Sequence, residues 1–282
     1  MLKPASVDAG RPTGYRSFMD RELAELASFA EELGQRARAE TLARFRQGGR
    51  VEDKAPGGMF DPVTEADRAA EQEMRSLINE RFPSHGIMGE EWPDQPGSSN
   101  YAWSLDPIDG TRSFISGLPT WTTLVALLKD GVPVLGYVDA PALDETYVGF
   151  AGQAIMSCKG ERTTIRTSGC TSLAKARLST TDPALFDATA AEAFERLRSS
   201  AQTVRYGHDG YAYARLAGGS IDLVVESGLK PYDYNALIPL VTAAGGVIAD
   251  WRGVQEYAGG KIIAAATQEL YDEALGYFEA LA

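Results

Sequence analysis

The spacing of apolar residues predicts two amphipathic helices at the start of the chain. Between Phe18 and about Phe45, apolar side chains recur every three or four positions, as on one face of a helix. They are Leu23, Leu26, Phe29, Ala30, Leu33 and Ala37. A second series, from Ala66 to Ile78, is preceded by Thr64, with Asp67 three positions after that threonine. A threonine and an acid in this arrangement resemble a capping box, so we expect the second helix to begin there.

The period then changes to two, which is typical of strands. The segment YAWSLD alternates apolar and polar residues, and we expect Pro107 to end this strand. TWTTLVALLKDGVPVLGYVDAP predicts two strands around an Asp130-Gly131 turn, and ETYVGFAG predicts a third. Upstream, IMGEE predicts a short strand that delivers Glu90 and Glu91. The first half therefore consists of helices followed by an antiparallel sheet.

Strand-like and helix-like segments alternate in the second half. ARLSTT, TVRY, IDLVVES, GVIAD and KIIAAA have strand character, whereas residues 184–198, GYAYARLAGG, YDYNALIPLVTAAGG and QELYDEALGYFEALA have helix character. This alternation is typical of an α/β layer. We expect a disordered lead-in over residues 1–15, an N-terminal α+β subdomain over 16–160 that binds metal and phosphate, and a C-terminal α/β subdomain over 161–282 that carries substrate specificity.

Composition and charge narrow the possible functions. The 282 residues carry a formal net charge of −12, which argues against a nucleic-acid partner because such binding needs a basic surface. No apolar run of about 18 residues occurs, so we expect no membrane partner. The N-terminal stretch MLKPASVDAGRPTGY lacks the apolar core of a signal peptide. We expect a cytoplasmic protein in which Cys158 and Cys170 are reduced structural thiols.

The segment LDPIDGT, residues 105–111, has the composition of a functional loop. Asp106 and Asp109 would repel one another on one tight turn unless a cation lay between them. A helix is expected to begin at residues 110–112, and its free N–H groups would attract an anion. Carboxylate oxygens beside an anion site suit Mg²⁺, which often binds through carboxylates together with substrate phosphate.

Two other interpretations of this segment stay open at this point. An aspartate-rich turn on the surface would be solvated and carry no chemistry. Alternatively, Asp106 is the nucleophile of a haloacid-dehalogenase-type phosphatase, but those enzymes have their second aspartate two residues later, and here Asp109 follows three residues later. The extra residue would misplace the acid relative to the nucleophile, so this interpretation is less favoured.

Four segments in order resemble the inositol monophosphatase superfamily of metal-dependent, lithium-sensitive phosphatases. They are DPVTEAD (61–67), GEE (89–91), DPIDGT (106–111) and the late aspartate Asp233 with Gly245-Gly246 downstream. The resemblance extends from roughly residue 20 to the end of the chain. It implies a layered αβαβα sandwich, with an antiparallel sheet in the N-terminal half and a mixed sheet in the C-terminal half. It also implies a homodimer.

The same resemblance implies roles for the site residues. The ligands of two or three Mg²⁺ ions would be Glu90, Asp106, the Ile108 carbonyl, Asp109 and Asp233. Glu90 and Thr111, the latter oriented by Asp67, would position and deprotonate the attacking water. The N–H groups of Gly110 and Thr111 would hold the phosphate. The implied reaction is hydrolysis of a small phosphate monoester by metal-activated water, without a covalent phosphoenzyme.

The segments GLKPYDY and DGTRSFISG resemble the histidinol-phosphate phosphatase branch rather than the inositol branch. The resemblance places Asp209 and Glu226 at the organic end of the substrate, although Asp209 is alternatively the N-cap of its helix. Arg112 is a candidate contact to phosphate or to a partner subunit. Two acids suit the ammonium and imidazole of L-histidinol phosphate, which is the first hypothesis for the substrate. Inositol-1-phosphate is the alternative, and a catalytically silent phosphate- or metal-binding protein of the same fold is a third possibility.

Overall fold

The computed structural model describes residues 13–48, 50–54 and 62–278. Two long helices come first, α1 (Thr13–Arg44) and α2 (Glu65–Arg81), with the short strands β1 (Val51–Asp53) and β2 (Pro62–Thr64) between them. Both helices were expected, and the predicted capping box of Thr64 and Asp67 is confirmed. Of the predicted lead-in, residues 1–12 lie outside the described residues, whereas Thr13 already belongs to α1.

The first sheet has seven strands, which follow one another in chain order. They are β3 (Gly86–Gly89), β4 (Tyr101–Asp109), β5 (Thr122–Lys129), β6 (Val132–Ala140), β7 (Glu145–Phe150), β8 (Gln153–Cys158) and β9 (Glu161–Thr164). The pairs from β4 to β9 are antiparallel as expected, and β3 adds a parallel edge beside β4. Glu90 and Glu91 follow the end of β3 instead of lying within it.

The prediction that Pro107 ends its strand is wrong. β4 continues through Pro107 to Asp109, with a register shift against β5. Asp106 pairs with Leu124 and Asp109 with Thr122, so three steps along β4 match two steps along β5. One residue of β4 is therefore bulged out of the ladder, and a bulge tolerates proline because no ladder partner is needed for its missing N–H.

The second half folds into a mixed sheet with helices, as expected. In chain order its elements are β10 (Arg177–Thr180), α4 (Ala188–Ser200), β11 (Thr203–Tyr206), α5 (Asp209–Ala217), β12 (Leu223–Glu226), α6 (Pro231–Tyr234), α7 (Leu237–Ala243), β13 (Val247–Asp250), β14 (Ile262–Ala265) and α8 (Gln268–Leu275). The short helix α3 (Thr111–Ile115) belongs to the first half and follows β4. The strand order is β11-β10-β12-β14-β13. The one helix predicted from YDYNALIPLVTAAGG is instead two, α6 and α7. A continuous helix would bring the ring of Pro239 against the carbonyl of Asn235, where the break occurs.

Alternating side chains bury both faces of the first sheet. In β5, Val125 and Leu127 belong to the core under α1 and α2, whereas Leu124 belongs to the core that includes α5 and α7. That second core also includes Val224 and Ala264 of the other sheet, whose opposite face packs against α4 and α8. Five layers result, and the expected αβαβα sandwich is confirmed. Among the described helices, none is long and apolar enough to cross a membrane.

Two glycines let the middle helices lie close to the first sheet. Gly136 on β6 and Gly149 on β7 are paired across the two strands. A Cβ at Gly136 would lie 1.8 Å from the Ala236 carbonyl oxygen, and a Cβ at Gly149 would lie 2.4 Å from Leu240 Cα. Because neither position has room for a side chain, the backbone around α6 and α7 rests directly on the strands. This contact holds α6 in place, and α6 carries Asp233.

We expect Gly136→Ala to lower the free energy of unfolding by about 1–3 kcal/mol, because the added methyl overpacks the contact with Ala236. Urea denaturation of the metal-free protein measures this change. Gly169→Ala is the matched control, since a Cβ at Gly169 has nothing within 4 Å. Equal denaturation midpoints for the two variants would contradict the proposed packing constraint.

Candidate active site

A cavity of about 490 Å³ lies where the ends of β4 and β12 meet the starts of α5 and α6. The sequence-predicted site residues in its lining are Glu90, Asp106, Ile108, Asp109, Gly110, Thr111, Arg112, Asp209, Glu226 and Asp233. Asp67 is not part of this lining and lies in the first turn of α2. Segments that are far apart in the sequence therefore converge on one cavity, and six of the side chains that line it are acidic.

The bulge in β4 brings Asp106 and Asp109 to the same cavity. In a regular strand, residues three apart point to opposite faces of the sheet. Because one residue between Asp106 and Asp109 is bulged out, both side chains point to the same face of the sheet. The Ile108 N–H donates to Asp106 Oδ1 (3.1 Å), and the Thr123 hydroxyl donates to the Pro107 carbonyl (2.8 Å), so the bulge is fixed from both sides.

Asp233 joins these two residues from α6. Oxygens from the carboxylates of Asp106, Asp109 and Asp233 lie within 4.8 Å of one another. Each carboxylate also accepts a hydrogen bond from a neutral donor. Besides the Ile108 N–H to Asp106, these are the Thr122 hydroxyl (2.8 Å) and Gly210 N–H (2.6 Å) to Asp109, and the Lys230 N–H (2.6 Å) to Asp233. Such donors orient the carboxylates without neutralising them.

Burial and mutual repulsion raise the pKa of each carboxyl group in this cluster. Burial is the largest cause for Asp106 and Asp109, whose pKa values lie well above the ordinary range. The next cause is the charge of Glu90 for Asp106 and the charge of Asp209 for Asp109. Burial raises the pKa of Asp233 to about 7 despite its bond from the Lys230 N–H. A bound divalent cation would relieve this repulsion, and an all-oxygen donor set fits Mg²⁺.

Glu90 reaches the cluster from the segment after β3, and Lys54 accompanies it. Lys54 Nζ lies 2.7 Å from Glu90 Oε1 and 2.5 Å from Glu91 Oε1. Burial alone would lower the pKa of Lys54, but the two carboxylates outweigh it and raise the pKa above its ordinary value. Sequence reasoning missed Lys54 because VEDK has no pattern that distinguishes it from a surface lysine. Only its distance from Glu90 in the folded chain reveals it.

Thr111 and Asp67 each have a partner other than the one expected. The Thr111 hydroxyl donates to the Ile108 carbonyl (3.0 Å). Asp67 Oδ2 accepts from the Thr64 N–H (2.9 Å) and the Thr64 hydroxyl (2.5 Å). The orientation of Thr111 by Asp67 therefore stays a prediction, and the observed bonds make Asp67 a helix cap.

Asp209 lies at the first position of α5, and His208 occupies the N-cap position before it. The alternative that Asp209 is itself the N-cap is therefore wrong. Its φ of 45° lies in the left-handed region, which is strained for a residue with a side chain. The Asp209 carboxylate packs against Gly110, where a Cβ would lie 2.9 Å from Oδ2, and Gly110 itself has a φ of 83°. Glycine is required at position 110 on both counts.

Glu226, at the end of β12, shares this part of the cavity with Asp209. It accepts bonds from the Thr181 N–H (2.7 Å), the Thr181 hydroxyl (3.0 Å) and the Thr180 hydroxyl (3.3 Å). Burial and then the charge of Asp209 raise the pKa of Glu226 to about 8. Burial raises the pKa of Asp209 to about 6, although the charge of Arg112 lowers it. A cationic ligand would stabilise both carboxylates. The two threonines were missed because they end ARLSTT like ordinary strand residues.

Comparison with known proteins identifies similar chains. The model of the inositol monophosphatase family matches residues 22–281. The chloroplastic bifunctional phosphatase IMPL2 of Arabidopsis thaliana is 44% identical over 83% of this chain and 66% of its own length, so the chain spans just under two thirds of that relative. The histidinol-phosphatase of Mycobacterium tuberculosis is 34% identical over 84% of this chain and 92% of its own length.

Solved structures agree with this result. The structure described as an inositol monophosphatase from Zymomonas mobilis has a TM-score of 0.79 and 38% sequence identity, and the match covers 91% of this chain and 98% of that one. The Thermotoga maritima IMPase has a TM-score of 0.79 and 28% identity over 91% of this chain and 98% of that one. The layered fold described above is therefore the fold of these phosphatases.

We expect the metal-free protein to lose stability as the pH rises from the ordinary aspartate pKa of about 4 to the raised pKa of Asp233, about 7, because the folded carboxyl groups bind more protons over this range than the unfolded chain does. Asp106→Asn removes one of the repelling charges and should make this dependence shallower. Addition of Mg²⁺ should reverse it, since the ion competes with protons for the same oxygens. Urea denaturation in EDTA and in Mg²⁺ at several pH values measures the effect.

The control for this experiment is Asp130→Asn, which removes one negative charge from the exposed turn between β5 and β6. Its pH dependence should match that of the wild type. If Asp106→Asn retained the full wild-type dependence, repulsion within the cluster would not be its cause.

Proposed function

The chain belongs to the inositol monophosphatase family, and we propose that its cavity hydrolyses a small phosphate monoester with the help of Mg²⁺. The observation that carries this proposal is the group of three carboxylates whose oxygens lie within 4.8 Å of one another. Bound Mg²⁺ supplies positive charge for phosphoryl oxygens and makes water a nucleophile near neutral pH. The proposed ligands of two or three ions are Glu90, Asp106, the Ile108 carbonyl, Asp109 and Asp233.

Glu90 and Thr111 act on the attacking water in this proposal. Because the Thr111 hydroxyl donates its proton to the Ile108 carbonyl, its lone pairs accept a bond from water and orient it. The Glu90 carboxylate then takes the proton of that water. Asp67 would orient Thr111 by accepting its hydroxyl hydrogen in place of the Ile108 carbonyl, which would then be free to bind metal. The N–H groups of Gly110 and Thr111 donate to the phosphate oxygens, since the first N–H groups of a helix lack partners within it.

L-Histidinol phosphate is the proposed substrate, with L-histidinol and phosphate as products. Its ammonium and imidazole would lie beside Asp209 and Glu226, where charge-assisted hydrogen bonds form with both acids. The strained backbone of Asp209 supports a functional role, because such strain persists where a side chain must be held in a particular place. Arg112, at the rim near Asp182 (3.8 Å), would contact the phosphate. Relatives named histidinol-phosphatase support this substrate.

Inositol-1-phosphate is the second candidate substrate, and the Zymomonas mobilis structure described as an inositol monophosphatase favours it. Glu226 alone would serve an inositol hydroxyl, whereas the neighbouring Asp209 would gain little from a neutral ring. A catalytically silent protein of this fold is less favoured, because Glu90, Asp106, Asp109, Asp233 and Thr111 are all present. Inhibition by lithium, a homodimer and a cytoplasmic location remain expectations from the family and the composition.

Glu90→Gln should lower kcat by about 100-fold or more, because glutamine neither accepts the proton of water nor supplies the same charge to the metal site. Release of inorganic phosphate from histidinol phosphate in the presence of Mg²⁺ measures this. An aspartyl-nucleophile enzyme behaves differently. It would retain turnover in Glu90→Gln and yield a protein phosphorylated at Asp106, and either result would overturn the proposed mechanism.

Asp209→Asn should lower kcat/KM for histidinol phosphate by about 10- to 100-fold, the effect of losing a hydrogen bond to a charged group. The same variant should hydrolyse inositol-1-phosphate about as fast as the wild type, because that substrate carries no cation. Asp130→Asn removes the same charge from an exposed position, and it should leave kcat/KM unchanged for both substrates. A higher wild-type kcat/KM for inositol-1-phosphate would contradict histidinol phosphate as the substrate, but it would not contradict the proposed phosphatase activity.

A further inference from the structure

A buried ion pair on α2 holds the segment that carries Glu90. Glu71 and Arg75 lie four positions apart on this helix, and Arg75 Nε donates to Glu71 Oε1 (2.7 Å). Their side chains are 0% and 8% exposed, respectively. Burial of two charges costs free energy that their mutual attraction offsets only when further hydrogen bonds satisfy both groups. The remaining hydrogen bonds of this pair therefore indicate its purpose.

Those remaining bonds all go to the backbone just after Glu90. Glu71 accepts from the Glu91 N–H (2.8 Å) and the Trp92 N–H (3.3 Å). Arg75 donates to the Trp92 carbonyl (2.9 Å) and the Pro93 carbonyl (3.1 Å). β3 ends at Gly89, so this segment has left the sheet, and the ion pair replaces the ladder bonds that its polar groups need.

The contact extends to the end of β3 itself. A Cβ at Gly89 would lie 2.0 Å from Glu71 Oε1 and 2.6 Å from Arg75 Nη2, so the strand end is pressed directly against the ion pair. Gly89 also pairs with Leu105 of β4, whose next residue is Asp106. Glu90 is thus held on one side by the sheet register and on the other by Glu71.

We infer that Glu71 and Arg75 are positioning residues that hold Glu90 beside Asp106 for metal binding. Glu90 and Asp106 line the same cavity, and their carboxylates repel one another when both are ionised. Without a fixed backbone, the Glu90 side chain would move away from that repulsion. The bonds from α2 prevent this movement and keep the oxygens at the separation that a bound cation needs. This inference rests on the proposed Mg²⁺ site.

Glu71→Gln tests the inference, because glutamine keeps the shape but replaces one acceptor oxygen by an amide. We expect the apparent Kd for Mg²⁺, measured by titration calorimetry, to rise by about 10- to 100-fold, as when a group that orients a metal ligand is removed. Mg²⁺ well above this Kd should restore most of kcat, since the chemical groups themselves are unchanged. A merely structural role would not produce this recovery.

Asp250→Asn is the matched control. Asp250 is also a buried carboxylate that accepts two backbone N–H groups of a turn, from Arg252 (2.9 Å) and Val254 (3.0 Å), and pairs with the Arg252 guanidinium. It lies in β13, outside the lining of the cavity. This variant should lose stability toward urea as Glu71→Gln does, yet bind Mg²⁺ with wild-type affinity. Equal Mg²⁺ affinities for both variants would overturn the inference.

Gly89→Ala provides a second variant if Glu71→Gln fails to fold. Its methyl group collides with the Glu71 carboxylate and should displace the same segment, with the same weakening of Mg²⁺ binding; wild-type affinity would overturn the inference.

The calorimetric result also separates this inference from the proposed reaction. A wild type that binds Mg²⁺ but hydrolyses no phosphate ester would remove the proposed function only, whereas a wild type that binds no Mg²⁺ would remove both.

Discussion

Repulsion among buried and half-buried carboxylates is the constraint on which the rest of the site depends. Among the residues that the structure describes, six acidic side chains line one cavity, namely Glu90, Asp106, Asp109, Asp209, Glu226 and Asp233. Water would screen such charges, but burial removes water and raises their pKa values. The folded chain therefore stores an unfavourable interaction that a cation relieves. Under the proposed function, bound Mg²⁺ removes this cost, so that folding and metal binding are coupled.

The fold resists this repulsion by fixing the backbone at each acid. Asp106 and Asp109 are fixed by the bulge in β4, and Asp233 by a helix seated on Gly136 and Gly149. Glu90 is fixed by the hydrogen bonds between Glu71 and the residues after it. These constraints come from the sheet, the middle helices and α2, three layers that are held together by separate apolar cores. The apolar packing that stabilises the layers therefore also holds the acidic side chains in place against their mutual repulsion.

The sequence predicted those parts of the molecule that depend on local patterns. Helical spacing located α1 and α2, and the resemblance of the short acidic motifs to the inositol monophosphatase family implied that their residues share one site. It failed at Pro107, because the register shift that accommodates the proline is a property of β5 as well as β4. It also failed for Lys54 and Glu71. A lysine in a short strand-like segment and a Glu-x-x-x-Arg spacing on a helix are typical of a solvated surface, and only tertiary packing buries them.

Under the proposed function, the metal-binding end and the substrate-binding end of the cavity are connected through a single backbone segment. The Gly210 N–H donates to Asp109, and the residue before it, Asp209, contributes its carboxylate to the other end. Apart from burial, the charge of Asp209 is the largest cause that raises the pKa of Asp109, and likewise that of Glu226. Under the proposed function, a substrate ammonium beside Asp209 reduces repulsion on both neighbours. The phosphate is then bound at the end where metal neutralises the acids, and the organic cation is bound at the end where no metal does so. A single substrate with opposite charges at its two ends therefore compensates the charges of the whole cavity.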